Sequence, residues 1–176
     1  MIDQIKNSIG LLYSYYQFRN LIEQTTHFTK SFSSSETGIV ILPFNDNDFT
    51  ASLNFIDLIQ RNFNKRSLVY ILKKPDERVQ NIQNVFYLND EKISFFNLIK
   101  VEKFHKLLHA KFDFAIDLNK EFILPAAYLI RCLHSDVKIS FSKKHGDLFY
   151  NFQYNSSSAT ALEVQYINLF KTISMF

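Results

Sequence analysis

Glycine is scarce in this chain: its 176 residues include only Gly10, Gly38 and Gly146. Proline is equally rare, at three, and tryptophan is absent. That shortage argues against a disordered chain and against a β-sandwich, whose many turns consume both residues. A single cysteine, Cys132, excludes an internal disulfide framework and fits a reducing compartment. It lies in an apolar helical stretch, where a buried, inert thiol is expected. No run approaches the roughly 18 uninterrupted apolar residues that span a bilayer, and the start, Met1-Ile2-Asp3, lacks the basic residues of a targeting signal. The expected location is cytoplasmic. Charge is also close to balanced: 20 Lys and Arg against 17 Asp and Glu give a net +3, which weighs against a nucleic-acid partner.

Against these absences, 47% of the chain is apolar, with 19 Phe and 9 Tyr, enough for the core of one domain. Residues 3 to about 28 read as a helix. Ile2, Ile5, Ile9, Leu12 and Tyr16 form one stripe, and Leu11, Tyr15, Phe18 and Ile22 a second beside it. A polar connector, Ser31 to Ser35, then marks the one composition break. It divides the chain into an N-terminal helix and connector (1–36) and an α/β domain (37–176).

From Gly38 the period changes. Ile39-Val40-Ile41-Leu42 and Leu68-Val69-Tyr70-Ile71-Leu72 are continuous apolar runs, as expected of strands buried on both faces. Val85 to Leu88, Phe112 to Leu118 and Val137 to Phe141 supply three more strands. Helices are predicted after the first strand (with Asp46 or Asp48 as its cap), at about 99–110 (with Val101, Phe104, Leu107 and Leu108 inward), from Pro125, and after a Ser156–Ser158 cap. The run Leu148 to Phe152 follows a short loop ending near Gly146, which predicts a hairpin and an antiparallel edge strand. Alternating strands and helices imply a mostly parallel sheet of about six strands with right-handed crossovers, a single Rossmann-like domain. By analogy with doubly wound folds its strand order is expected to be 3-2-1-4-5-6.

In such sheets ligands lie beyond the carboxyl ends of the strands, where strand order reverses. The crevice would be lined by Asn45, Asp46, Asp48, Asn119, Lys120 and Glu121, with Lys143, Lys144 and His145 nearby. An Asp there could act as a base on a hydroxylated substrate. The same residue types also favour helix caps and solvated turns. The turn after the first strand, Pro43-Phe44-Asn45-Asp46-Asn47-Asp48, has no glycine to admit a pyrophosphate, so no nucleotide cofactor is expected. Asp117 closes a buried strand and either faces the crevice or accepts backbone donors from a neighbouring loop. Glu102, His105 and His109 share a helical face, but the zinc-helix motif His-Glu-x-x-His is absent and Lys103, Lys106 and Lys111 surround them. No metal site is expected. Lys65-Arg66, Lys73-Lys74 and Lys143-Lys144-His145 are small basic clusters, the first two at opposite ends of one strand, which reads as scattered solvation. The tyrosine-rich first helix has more apolar face than one sheet requires. It either packs across the domain or docks a protein partner or a second copy.

The strand Lys111-Phe112-Asp113-Phe114-Ala115-Ile116-Asp117-Leu118, its following helix and Val137 to Phe141 resemble the N-terminal domain of glycosyltransferase family 9, the heptosyltransferases. Over most of its length, including Pro125 and Phe149-Tyr150-Asn151-Phe152, the chain is similar to a small family of uncharacterised bacterial proteins. The first resemblance implies Asp46 or Asp48 as a displaced equivalent of the base that heptosyltransferases carry in a Gly-Asp pair. It also implies a separate donor-binding domain, without which the chain would hold no sugar nucleotide. Three functions follow, in this order: a non-enzymatic domain that binds a protein partner or itself, the acceptor-binding half of a split glycosyltransferase, and nucleic-acid binding should the basic clusters fold into one RNA or phosphate surface.

Overall fold

The computed structural model describes residues 2–19, 32–63, 68–157 and 159–175. Within them the chain runs α1 (Ile2–Phe18), β1 (Gly38–Ile41), α2 (Asp46–Asn62), β2 (Leu68–Leu72), β3 (Val85–Tyr87), α3 (His105–His109), β4 (Lys111–Asp117), α4 (Leu124–Cys132), β5 (His134–Phe141), β6 (Phe152–Tyr154) and α5 (Leu162–Ile173). All six strands are parallel, in the order β3-β2-β1-β4-β5-β6. This is the doubly wound order expected from the sequence, and it places the reversal between β1 and β4.

The continuous apolar runs are explained by helices on both faces. Along β1, Val40 belongs to one core layer with α2 and α5, which it shares with Phe55, Ile59 and Leu169. Ile39 and Ile41 point into the other, with Leu129 and Ile130 of α4 and Phe18 of α1. Alternation is present in the geometry but invisible in composition, because neither face meets water. Phe32, in the connector before β1, is buried against Phe63 and Phe114, at ring-centroid distances of 4.9 and 4.8 Å.

The edge of the sheet departs from expectation. Leu148 to Phe152 is not an antiparallel strand: the edge strand is Phe152–Tyr154, parallel to β5, with Phe152 opposite Ile139 and Tyr154 opposite Phe141. The reason is burial. Gly146–Leu148 is a 3-10 turn, and Phe149 and Tyr150 insert into the core layer under α1 and α4. The chain is thereby carried back to the level of Lys138 before pairing resumes, and Asn151 donates its backbone N–H to the Lys138 carbonyl at 3.1 Å. Side-chain insertion does here what a crossover helix does elsewhere.

Helix boundaries differ in smaller ways. The stretch before β4 is a 3-10 turn (Val101–Phe104) leading into α3, and Val101 is exposed rather than inward. α5 begins at Leu162 with Ala161 at its cap position, not at the predicted Ser156 or Ser157; Ser158 lies outside the described residues. α1 is described to Phe18; the rest of the predicted helix, to residue 28, lies outside the described residues.

The seating of α1 is unexpected. Its buried residues are Gly10, Ser14 and Phe18. A Cβ on Gly10 would sit 2.2 Å from the Phe96 carbonyl oxygen and 2.9 Å from Leu124 Cδ2, so only glycine lets the helix approach this closely. Ser14 donates its hydroxyl to the Gly10 carbonyl at 2.8 Å, satisfying it without an outside partner. Phe18 closes the contact against Tyr128 and Phe149.

Candidate functional site

The β1–α2 and β4–α4 loops meet at the reversal point, as the sequence predicts. The structure divides the nine predicted crevice residues into three groups with different work.

The first group is buried and internally satisfied. Asp117, at the end of β4, is fully buried. Its Oδ1 accepts the Asn119 backbone N–H at 3.0 Å and the Asn119 side-chain amide at 2.7 Å. Its Oδ2 accepts the Lys143 ammonium at 3.0 Å and the Tyr150 hydroxyl at 2.5 Å. Lys143, with its side chain 3% exposed, also donates to the Asn119 carbonyl at 2.6 Å. Every acceptor direction of the carboxylate is thus used, which is what makes burial of an ion pair tolerable. Burial, followed by the Asp117 charge, pushes the Tyr150 hydroxyl well above its ordinary range, so it stays a donor. Of the two roles open to Asp117, the geometry gives the loop-fixing one. Asn119 completes it: its Oδ1 accepts the Phe44 backbone N–H at 2.7 Å, a bridge straight across the crevice from the β4 loop to the β1 loop.

The second group belongs to the start of α2. Asn45 is the cap, its side-chain oxygen accepting the N–H groups of Asn47 and Asp48 at 2.9 and 3.4 Å. The cap expected at Asp46 or Asp48 is therefore one residue earlier or more. Two of the free donors at the helix start, where an anion would bind, already have a partner from the chain itself. Asp46 turns away to Arg78, at 2.6 Å. The Arg78 guanidinium also binds Asp76 at 2.6 Å and Thr50 at 2.7 Å, and lies 4.5 Å from the Phe49 ring. Asp76 is held down at about 2 by that guanidinium. Asp46, Phe49, Asp76 and Arg78, with the exposed Lys73 and Lys74, wall a cavity of about 90 Å³ at the ends of β1 and β2.

The third group stands at the crevice mouth. Asp48 is half-buried, and its carboxyl is raised, first by desolvation, then by Glu121, against the opposing pull of Lys120. Lys120 donates to the Gln165 side-chain oxygen at 2.6 Å, and Tyr166 donates to the Leu118 carbonyl at 3.0 Å, so α5 is tied over the opening. Glu121, Lys144 and His145 are exposed.

Tyr150, Arg78, Asp76 and Gln165 have roles that sequence reasoning missed. The first was read as part of an edge strand, and the others carry no motif. Lys65-Arg66 lies outside the described residues. On α3 the His105 and His109 rings are 4.1 Å apart, yet among the described residues no group of three or more His, Cys, Asp and Glu is placed to hold a metal ion. Cys132 is half-buried, its thiol pushed up to about 11 chiefly by desolvation.

A second surface is more open. On α1, Ile2, Ile5, Ile9, Leu12 and Tyr16 are 43–70% exposed, and Tyr13 and Tyr15 are exposed beside them. At 100° per residue this stripe lies opposite the buried Gly10, Ser14 and Phe18. An apolar groove of about 490 Å³ runs along one flank, between Leu11 and Tyr15 of α1 and the 145–148 turn. Among the described residues no helix is long and apolar enough to cross a membrane.

The fold and the site together define a single doubly wound α/β domain whose reversal-point crevice is occupied by its own side chains. The chain belongs to the family described as Family of unknown function (DUF6913), whose model matches residues 7–171. No curated protein and no solved structure matches it.

Proposed function

We propose that this chain is a non-enzymatic, cytoplasmic α/β domain that works by docking, through the outer face of α1, to a protein partner or to itself. The observation that carries this reading is the orientation of α1. The helix is seated by a glycine and a serine and turns five large apolar residues outward. A helix placed only to cover the sheet would do the reverse, since each large side chain buried contributes roughly 1.5–3 kcal/mol. Contiguous exposed apolar surface on a soluble domain marks interaction sites. The crevice supports the same reading: Asn119 bridges it, Asn45 occupies donors at the α2 start, and Asp46 is committed to Arg78.

The test is the double variant Ile9→Glu/Leu12→Glu. Its melting temperature should match the parent's, while binding of a fluorescent apolar dye should fall sharply. A large drop in melting temperature would show the stripe to be core, and a sugar nucleotide gripped at the α2 N-terminus would show the crevice to be open. Either result overturns the reading.

A second reading rests on Asp48. Its carboxyl is raised toward the range useful to a base and stands beside Lys120 at the crevice mouth. That position suits the acceptor-binding half of a split, heptosyltransferase-like glycosyltransferase with a separate donor-binding chain. Co-purification of a chain that binds a nucleotide sugar, and loss of transfer in Asp46→Asn/Asp48→Asn, would support it.

A further inference from the structure

We propose that His105 and His109 form a two-imidazole chelate for a transition-metal dication, Cu²⁺ foremost, on the outer face of α3. Neither residue belongs to the crevice or to the α1 stripe. The two histidines open and close α3, and both are exposed. At i and i+4 they stand one above the other on one helical face. Their ring centroids are 4.1 Å apart and the ring planes are inclined by 55°. Two imidazole nitrogens bound to one metal at about 2.0–2.1 Å bring their ring centres to roughly 4–5 Å, so the rings already stand at chelating distance. The inclination matters as well. Stacked rings hold their in-plane lone pairs parallel, whereas inclined rings converge on one point after a small χ2 rotation, a broad torsion in histidine. Among the described residues, neither ring has a hydrogen-bond or carboxylate partner to give up first.

The core, not the metal, positions the ligands. So short a helix does not form alone in water. Phe104 and Leu107, 1% and 4% exposed, hold it to the core, and the Ala110 N–H closes it on the Leu107 carbonyl at 3.3 Å. Little ordering is therefore lost on binding. The donor set selects the ion. Two neutral imidazoles suit Cu, Ni and Zn, and not the oxygen-seeking Ca²⁺ or Mg²⁺. Structural zinc takes four protein ligands and catalytic zinc three, whereas no group of three is placed for a metal among the described residues. Cu²⁺ stands highest in the Irving–Williams order, and its tetragonal geometry accepts two neighbouring nitrogens with water in the remaining positions. Glu102 lies three residues before His105 in the Val101–Phe104 3-10 turn, where such residues eclipse, so a negative charge flanks the pair on its own face. Lys106 projects about 80° round the helix from the middle of the pair; its repulsion weakens the site without blocking it. The missing zinc-helix motif excludes only the arrangement in which a Glu serves as the base of a zinc hydrolase. A chelate needs the two rings alone.

Titration of the untagged full chain with Cu²⁺, followed by electron paramagnetic resonance, tests this. The expected result is a saturable site whose spectrum shows two nitrogen ligands. His105→Asn and His109→Asn should each weaken it by at least about tenfold in dissociation constant. The two together should weaken it scarcely further, since a chelate is lost with either half. His134→Asn/His145→Asn should bind as the parent does. A smaller loss in either single variant means that the two rings do not act together, and overturns the proposal. So does a Cu²⁺ signal that follows His134, His145 or the α-amino group instead, or the absence of saturable binding below about 1 mM.

Discussion

The Lys143 ammonium lies 3.0 Å from the Asp117 carboxylate, with both side chains withdrawn from water, and this pair ties the end of β4 to the loop after β5. The arrangement holds because Tyr150 and Asn119 take up the remaining capacity of both groups. Lys143→Met would leave a buried carboxylate without its cation, at a cost of about 3–5 kcal/mol. Urea unfolding should show that loss, and Lys143→Met/Asp117→Asn should recover part of it. Were Lys143 a ligand-binding residue instead, the single variant would keep its stability.

Gly10 governs whether α1 can sit on the domain. In Gly10→Val the new side chain would run into the Phe96 carbonyl, which is backbone and cannot swing aside. A loss of about 1–3 kcal/mol is expected from such overpacking. Hydrogen exchange should quicken along α1 and in residues 94–98 while the β1 and β4 amides stay protected.

Asn119 is the strut between the two crevice loops. Asn119→Ala removes the acceptor for the Phe44 N–H and the side-chain amide donor to Asp117, while the backbone donor to Asp117 survives. The stability cost should be about 1–3 kcal/mol, and the Phe44 amide should exchange faster. Asn119→Asp keeps the acceptor but faces the Asp117 charge, so it should rescue poorly.

Two aspartates should respond to acid in opposite senses. Asp76 is depressed from 3.8 to about 2 by Arg78, so the stability it lends is complete above pH 3.8 and is lost as pH falls through about 2. Asp48 is raised above 3.8, so the folded state holds its proton more tightly than the unfolded chain does. Its contribution is present at low pH and is lost as pH rises through the raised value. Unfolding measured from pH 2 to pH 7 should lose its acid-side dependence in part in Asp76→Asn. Asp48→Asn should be at least as stable as the parent at pH 7, and a marked loss there would contradict this account.

The parallel order was legible because Ile39 to Leu42 and Leu68 to Leu72 are apolar on both faces, and only a sheet covered twice tolerates that. The edge was not legible, because Leu148-Phe149-Tyr150 carries the same composition whether it pairs as a strand or plugs a core. A neighbouring Gly146 argues locally for a hairpin, while burial of Phe149 and Tyr150 decides otherwise. In the crevice, residue types predicted the neighbourhood but not the partners. Asp46 and Asp48 are two residues apart and equivalent on paper. Arg78 claims one and desolvation raises the other.

By itself, the sequence determined that this chain makes a doubly wound sheet and gives up glycine at the phosphate turn, since both follow from local residue types and their periods. Only the tertiary structure decided which side of α1 faces water. A stripe of five large apolar residues and a face of Gly10, Ser14 and Phe18 compete for the same sheet. Close backbone approach at Gly10 wins, because the Phe96 carbonyl leaves no room there for anything larger.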